Sequence, residues 1–239
     1  MVGKIYSYDE FMSKILKKHV YQLMSIPDNN QIDNKEADFI YCRTSSKDFR
    51  NHNKLINLGF DIIDVNVKFK RKFKNNYKYS LNTNTRKADK YDEQNVKIIA
   101  EKSFIHDRLH KDQAISNILA DSFKKNWVAN YFRGIRGDNL LVSEINNSLA
   151  GFILLIENNK EIIIDLIGVG EKYRQKGVGK NLIQESFSIY SSKKKDFTVS
   201  TQISNIGSMN FYKKLGFCTY ENNFIWHWHK HLSQKSKNK

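Results

Sequence analysis

The feature that most constrains the fold is the stretch EIIIDLIGVG, residues 161–170, which is almost continuously apolar. A strand with this pattern is buried on both faces, so it has to lie inside a sheet that is covered by helices. The glycine-rich, basic turn YRQKGVGK, residues 173–180, follows it, and the helical spacing of KNLIQESFSIY comes next. We therefore expect an α/β fold with a basic turn at the end of a central strand.

Apolar periodicity divides the second part of the chain into strands and helices. It predicts the order β-α-β-β-β-α-β-α-β, with strands over 96–104, 139–145, 149–158, 161–170, 196–203 and 218–229 and helices over 112–132, 180–190 and 208–216. The expected architecture is a mixed sheet, of the α/β or α+β kind, with helices on its faces.

The first part of the chain has the pattern of a smaller β-α-β unit. A helix is expected over 8–24, a strand over 37–43, a short helix ended by Gly59, and an alternating strand over 60–73. The polar stretch NTNTRKADKYDE lacks apolar periodicity and is expected to be a linker or an exposed loop. These patterns predict a small domain over 1–90, a main domain over 91–232 and a basic tail over 233–239.

The formal net charge is +15, from 40 basic and 25 acidic residues. Such an excess favours anionic partners, which include nucleic acids, membrane surfaces and phosphorylated small molecules. The sequence has neither zinc-ligand spacing nor the aromatic signature of an RNA-binding domain, so we expect no nucleic-acid partner.

Two further features bear on the compartment. The two cysteines are far apart and match no metal-ligand spacing, so they are expected to be reduced. Charges interrupt the first residues, and no apolar run approaches the roughly 20 residues that span a bilayer. These features predict a cytoplasmic protein without membrane insertion.

The basic turn has the composition of a phosphate-binding loop. Glycines let the backbone approach an anion, and free N–H groups at a helix start favour a pyrophosphate. Arg174, Lys176 and Lys180 add positive charge. A tight strand-to-helix turn would also explain two glycines, and the turn matches neither a Walker loop nor the dinucleotide motif.

With its surroundings, the turn resembles the cofactor motif of the GNAT acetyltransferase superfamily, [Q/R]-x-x-G-x-[G/A]. Arg174, Gly177 and Gly179 fill the defined positions, and Asn205 followed by FYKKLGF, residues 211–217, matches the second motif of that family. The likeness covers about residues 96–230. It implies the GNAT fold, acetyl-CoA as co-substrate and an N-acetyltransferase activity.

The resemblance also implies which residues hold acetyl-CoA. The end of the apolar strand would pair with the pantetheine arm, and the turn would hold the pyrophosphate. The implied set is Ile167, Gly168, Val169, Arg174, Gln175, Lys176, Gly177, Val178, Gly179, Lys180, Asn205 and Tyr212. Asn205 would position pantetheine or water, and its alternative is the N-cap of the following helix, a position that asparagine strongly prefers.

Tyr212 matches the usual proton donor of the family, which protonates the departing thiolate. A phenol with a pKa of about 10 stays protonated at neutral pH. The alternative for Tyr212 is a core aromatic. As base, the apolar strand offers Asp165, which is expected to share a strand face with Ile163 and Ile167. A structural role for Asp165, or a chain of waters without a dedicated base, are the alternatives.

A second likeness concerns the acceptor. The N-terminal unit, the aromatic helix SFKKNWVANYFRG and the terminal WHWH together are similar to the TDP-fucosamine acetyltransferases and related enzymes. The likeness implies a nucleotide-linked amino-deoxysugar as acceptor and a role in surface polysaccharide biosynthesis. Trp127, Tyr131 and Arg133 would then face the acceptor, although they also fit the buried stripe of a helix.

Alternatives to this function remain open at this stage. One is acetyl transfer to a protein N-terminus or a lysine, and another is non-enzymatic nucleic-acid binding, which only the charge suggests. A homodimer is compatible with the sequence. His227 and His229 share a strand face, but no third ligand is apparent, so we predict no metal site.

Overall fold

The computed structural model describes residues 5–27, 31–73 and 84–235, with side chains up to residue 232. Its strands are β1 (Tyr6–Tyr8), β2 (Val20–Leu23), β3 (Phe39–Ser45), β4 (Asp61–Arg71), β5 (Thr85–Lys87), β6 (Asn139–Ile145), β7 (Ser148–Glu157), β8 (Glu161–Val169), β9 (Asp196–Gln202) and β10 (Cys218–His229). Its α-helices are α1 (Glu10–Leu16), α2 (Phe49–Asn57), α3 (Glu93–Ser103), α4 (Arg108–Lys111), α5 (Asn117–Phe132), α6 (Val178–Ile189), α7 (Ile206–Lys214) and α8 (Lys230–Lys235).

All ten strands join one sheet in the order β1-β2-β3-β10-β4-β9-β8-β7-β6-β5. The sheet is mixed, since β2 pairs with β3 and β8 with β9 in parallel, while the other neighbours are antiparallel. This confirms the predicted fold class. Strands of the two predicted domains alternate at its centre, where β4 lies between β10 and β9. The domain boundaries at residues 90 and 232 stay a prediction.

Helices cover both faces of the sheet. Along β7 the side chains alternate, so that Ile153 and Leu155 pack with α6 and α7, while Phe152 and Leu154 pack with α3 and α5. A strand that is apolar on both faces is therefore central, as the sequence of β8 predicts.

The helix predicted over 8–24 is wrong in its second half. The helix α1 ends at Leu16, because Lys17 takes a left-handed conformation with φ 53°. Val20–Leu23 then forms β2, which pairs with β3. Val20 and Leu23 are buried in this strand, and tertiary pairing decides its conformation.

The strand predicted over 96–104 is also wrong, since this segment is the helix α3. Val96, Ile99 and Ala100 are buried at helical spacing, and a capping box of Asp89 and Asp92 precedes the helix. Within the predicted linker, Thr85–Lys87 forms β5 and pairs with β6. Arg86 fixes this edge by bonding Asp92 through both its terminal nitrogens.

The predicted helix over 112–132 is shorter than expected and forms α5 over Asn117–Phe132. The other strands and helices predicted after residue 138 are confirmed to within a few residues. Part of the predicted tail forms α8, and residues 236–239 lie outside the described residues. In the described parts of the chain, we find no helix with the length and apolarity of a bilayer span.

Candidate active site

The central strands β8 and β9 separate halfway along their length. Their pairing ends at Ile164 and Val199, yet β8 continues to Val169 and β9 to Gln202. On its other side β8 stays paired with β7 up to the pair Gly151 and Val169. The described part of the sheet therefore leaves one edge of residues 165–169 unpaired, and backbone groups there can bind an extended amide chain.

A β-bulge lies where the strands separate. Leu155 faces Ile164 and Leu154 faces Leu166, so Asp165 is the extra residue on β8. The expectation that Asp165 shares a face with Ile167 is wrong, because a bulge interrupts the alternation of side chains. Ile167 packs with the core under α6, whereas Asp165 points to α5 and contacts Trp127 there.

Asp165 is anchored by three hydrogen bonds. Its Oδ2 accepts from Trp127 Nε1 at 2.8 Å and from Arg136 Nε at 2.8 Å, and its Oδ1 accepts from Arg136 Nη2 at 2.6 Å. The Arg136 guanidinium also lies 4.1 Å from the centre of the Trp127 ring. This bidentate pair is a strong, directional contact, which favours the structural alternative for Asp165.

The glycine turn leads directly into α6. Gly177 precedes the helix with φ 82°, a conformation that a residue with a Cβ adopts at a cost. Its position has no side chain to cap the helix, so the N–H groups of Val178, Gly179 and Lys180 lack a side-chain cap. Such a helix start favours an anion.

Side chains of the turn divide between the surface and the core. Arg174, Gln175, Lys176 and Lys180 are exposed, whereas Val178 is buried and offers only its backbone. A Cβ on Gly179 would lie 3.2 Å from the Phe211 ring, so this glycine also allows α7 to pack closely. The turn is thus both a tight connection and a basic surface.

A basic cavity of about 660 Å³ lies beside this turn, between α6 and the end of α7. Its cationic lining residues are Lys70, Arg71, Lys72, Lys180 and Lys214. Because Lys180 belongs to both, positive charge extends from the turn into the cavity.

Tyr212 lies on α7 and is only 4% exposed. Its ring packs against Phe69 and Phe217, with centroids 5.8 Å away in each case. Burial raises the pKa of Tyr212 well above its usual range, so the phenol is protonated at neutral pH. Asn205 caps the same helix, since its side chain accepts from Ser208 N at 3.0 Å.

Of the three residues predicted to face the acceptor, the structure brings only Trp127 to Asp165. Tyr131 packs edge-on against Phe132, and Arg133 reaches the side chain of Asn130 at 3.4 Å. An acceptor role for Tyr131 and Arg133 stays a prediction. Arg136 was not among the predicted site residues, because its only signal is a lone basic residue between the helix-ending glycines at 134 and 137.

The two histidines of β10 were predicted to have no third ligand beside them, but Asp112 lies next to both. Asp112 Oδ2 lies 2.6 Å from His227 Nδ1 and 2.8 Å from His229 Nε2, and all three residues are buried. These distances are those of hydrogen bonds and are shorter than the roughly 3.3 Å between ligand atoms of a tetrahedral metal. The three residues therefore form a hydrogen-bonded group.

The contacts of His227 determine its tautomer. Arg108 Nη1 lies 3.3 Å from His227 Nε2, and a guanidinium can only donate. Nε2 is therefore the acceptor, and Nδ1 carries the hydrogen that it donates to Asp112 Oδ2. Burial lowers the pKa of His227 to about 4, although Asp112 opposes this shift.

Acidification is expected to destabilise the fold through His227. Its pKa is about 4 when folded against 6.5 for an ordinary histidine, so the unfolded chain binds more protons between these values. The free energy of unfolding should therefore fall by roughly 3 kcal/mol from pH 6.5 to pH 4. The measurement is urea unfolding across this range.

His227→Asn keeps a donor for Asp112 but cannot titrate, so its stability should depend much less on pH in this window. The control is His106→Asn, which changes an exposed histidine on a loop. An unchanged pH dependence in His227→Asn would show that other groups are responsible.

Comparison with known proteins gives the following relations. Residues 107–217 match the family described as the acetyltransferase (GNAT) family. The chain is similar to the spore coat polysaccharide biosynthesis protein SpsD of Bacillus subtilis (strain 168), with 24% identity over 133 residues. That match covers 54% of this chain and 45% of SpsD, so it spans less than half of the relative.

Solved structures show the same fold. A functionally unknown conserved protein of Staphylococcus epidermidis ATCC 12228 has a TM-score of 0.66 at 16% identity, over 96% of this chain and 92% of the other. A GCN5-related N-acetyltransferase of Sphaerobacter thermophilus has a TM-score of 0.56 at 13% identity, over 80% of this chain and 59% of the other.

Proposed function

Since the chain carries a domain of the GNAT acetyltransferase family, we propose that it transfers an acetyl group from acetyl-CoA to the amine of a nucleotide-linked amino-deoxysugar. The observation that carries this proposal is the separation of β8 from β9 next to the uncapped start of α6. Together they offer an unpaired strand edge and an anion-binding helix start.

The residues at this place suit acetyl-CoA. The backbone of Ile167, Gly168 and Val169 lies on the unpaired edge of β8 and would pair with the amides of the pantetheine arm. The first turn of α6 would hold the pyrophosphate, with Arg174, Gln175, Lys176 and Lys180 around it. Acetyl-CoA supplies the activated acetyl group as a thioester.

The chemistry left to the protein is proton transfer and charge stabilisation. N–H groups on the unpaired edge of β8 would stabilise the negative charge that develops on the carbonyl oxygen. Tyr212, which burial keeps protonated, is proposed to donate its proton to the departing thiolate. The bonds to Arg136 and Trp127 favour a positioning role for Asp165, and water then removes the proton of the amine.

Two observations favour a nucleotide-linked sugar as the acceptor. The relative SpsD is named for spore coat polysaccharide biosynthesis, and its match covers 54% of this chain. The net charge of +15 also suits two substrates that both carry phosphates. We expect the reaction to take place in the cytoplasm, where acetyl-CoA and activated sugars are available.

Thiol release from acetyl-CoA tests this function. The full chain is incubated with TDP- and UDP-linked amino sugars in one series and with a basic peptide in another. Turnover with an amino sugar, and N-acetylation of that sugar by mass spectrometry, is the expected result. Turnover with the peptide but with no amino sugar would indicate that the acceptor is a protein. Absence of turnover with any amine would contradict the proposal.

A further inference from the structure

A polar strip crosses the sheet between two apolar clusters. On the face that α4 and α5 cover, one core lies under α3 and the other packs against α1. Between them, neighbouring strands carry Arg43 on β3, Asp64 and Asn66 on β4, and Asn223 on β10. A buried sheet face normally carries apolar side chains, so this strip needs a functional or structural reason.

Two arginines of this region have no carboxylate partner. Among the described residues, neither Arg43 nor Arg108 forms an ion pair, whereas Arg86 and Arg136 are both paired with carboxylates. Desolvation lowers the pKa of Arg43 and of Arg108, and Arg43 lowers that of Arg108 further. Charges that are close together, desolvated and unpaired are costly, and a bound anion would remove that cost.

Arg43 remains exposed to solvent although surrounding protein desolvates it. It lies two residues along β3 from Tyr41, whose ring is 4.2 Å from the Arg108 guanidinium. Arg43 is therefore within reach of a ligand that enters from outside.

Arg108 is held in a fixed position. Its guanidinium lies 4.2 Å from the centre of the Tyr41 ring, and Nη1 donates to His227 Nε2. Nη2 contacts Met12 Sδ at 3.3 Å. The hydrogen bonds that link Asp112, His227 and Arg108 therefore orient the guanidinium group. They do not neutralise its charge, because His227 is uncharged.

Lys124 connects these arginines to the bulge in β8. Desolvation lowers the pKa of Lys124; Asp107 and Asp165 raise it, and Arg108 and Arg43 lower it. Its Nζ pairs with Asp107 Oδ2 at 3.8 Å. Its Nζ lies 5.8 Å from the centre of the Trp127 ring, which itself bonds Asp165.

Buried acceptors in the same region lack donors. Asp64 Oδ2, Asn66 Oδ1 and Asp107 Oδ2 have no hydrogen-bond partner among the described residues, and each of the three residues is less than 8% exposed. Lys124 Nζ lies 3.8 Å from Asp107 Oδ2, which is an ion pair but beyond hydrogen-bond distance. Such acceptors cost free energy unless a donor reaches them. Hydroxyl and amino groups of a ligand would be suitable donors.

We propose that Arg43, Arg108 and Lys124 bind the phosphate groups of the acceptor, along the polar strip on the sheet face that α4 and α5 cover. The acceptor's sugar would then lie on the side of Asn66 and Asp107, next to the separated strands. This inference rests on the proposed function for the identity of the ligand. The anion site itself rests on Arg43 and Arg108, which have no ion-pair partner among the described residues, and on Lys124, which pairs with Asp107 Oδ2 at 3.8 Å.

Calorimetric titration of the full chain with UDP and with TDP tests the site. The protein is first saturated with coenzyme A, so that the turn before α6 is occupied. We expect binding of at least one nucleoside diphosphate, and a Kd at least tenfold higher in Arg43→Gln. Arg50→Gln, an exposed change on α2, is the matched control and should bind as the wild type does.

Arg43 is the first choice because its side chain is exposed, so its replacement should leave the fold intact. Arg108→Lys keeps the charge but not the planar donors, and its melting temperature shows whether it folds. Absence of nucleotide binding in the wild type, or an equal Kd in Arg43→Gln, would overturn the proposal.

Kinetics separate this inference from the function on which it rests. With a nucleotide-linked amino sugar, Arg43→Gln should raise KM at least tenfold and leave kcat nearly unchanged. Normal KM in this variant would refute the anion site while the sugar acetyltransferase stands. Nucleotide binding that depends on Arg43, without acetylation of any amino sugar, would keep the anion site and refute the function.

Discussion

Replacing Tyr212 with phenylalanine is expected to lower kcat by a factor of about 100 to 10,000, which is the usual contribution of a general acid. The phenylalanine ring keeps the packing with Phe69 and Phe217, so the fold and the binding of acetyl-CoA should be preserved. The measurement is thiol release under saturating substrates, together with an equilibrium titration of acetyl-CoA.

The control for this variant is Tyr220→Phe. Tyr220 is 46% exposed at the start of β10, and loss of its hydroxyl should leave kcat within a factor of two or three of wild type. If Tyr212→Phe binds acetyl-CoA and keeps its kcat, then Tyr212 is only a core aromatic. The proton of the thiolate would then have to come from water.

Asp165→Ala is expected to lower the free energy of unfolding by about 2 kcal/mol. Removing one partner of a buried pair costs more than this, but Arg136 is one-third exposed and can be solvated. Arg136→Ala should cost a similar amount. Both changes break the same contact, so their effects are not additive. The double variant should lose about 1 kcal/mol less than the sum of the losses in the two single variants.

Kinetics of Asp165→Asn distinguish positioning from base catalysis. An asparagine can still accept from Trp127 Nε1 but cannot take a proton at neutral pH. If Asp165 positions Trp127 and Arg136, then kcat should fall less than about tenfold and the pH profile should keep its acidic limb. Loss of kcat by about 100-fold or more, together with loss of that limb, would identify Asp165 as the base.

The sequence was sufficient for the parts of the fold where periodicity and turn signals agree. β8 and α6 are examples, since a doubly apolar strand, two glycines and a helical stripe leave few alternatives. It was insufficient for α3, because the apolar residues of the short segment VKIIAEKSF fit either the helical or the strand period. It also failed at β2, whose conformation depends on pairing with β3.

The candidate site was predictable only where a local motif marks it. The bulge at Asp165 depends on register with β7, which no single strand reveals. The contact of Asp112 with His227 and His229 joins residues more than 110 positions apart. Arg43 lies on β3 and Arg108 on α4, and only the packing of α4 against the sheet brings Arg108 to Tyr41 and His227, so single-sequence reasoning had no signal for them.

Hydrogen–deuterium exchange of the full chain, with and without acetyl-CoA, tests most directly whether the coenzyme binds at the separated strands. We expect slower exchange of the amides over 167–169 and 175–180, and little change in β3. No binding of acetyl-CoA, or protection confined to other segments, would contradict it.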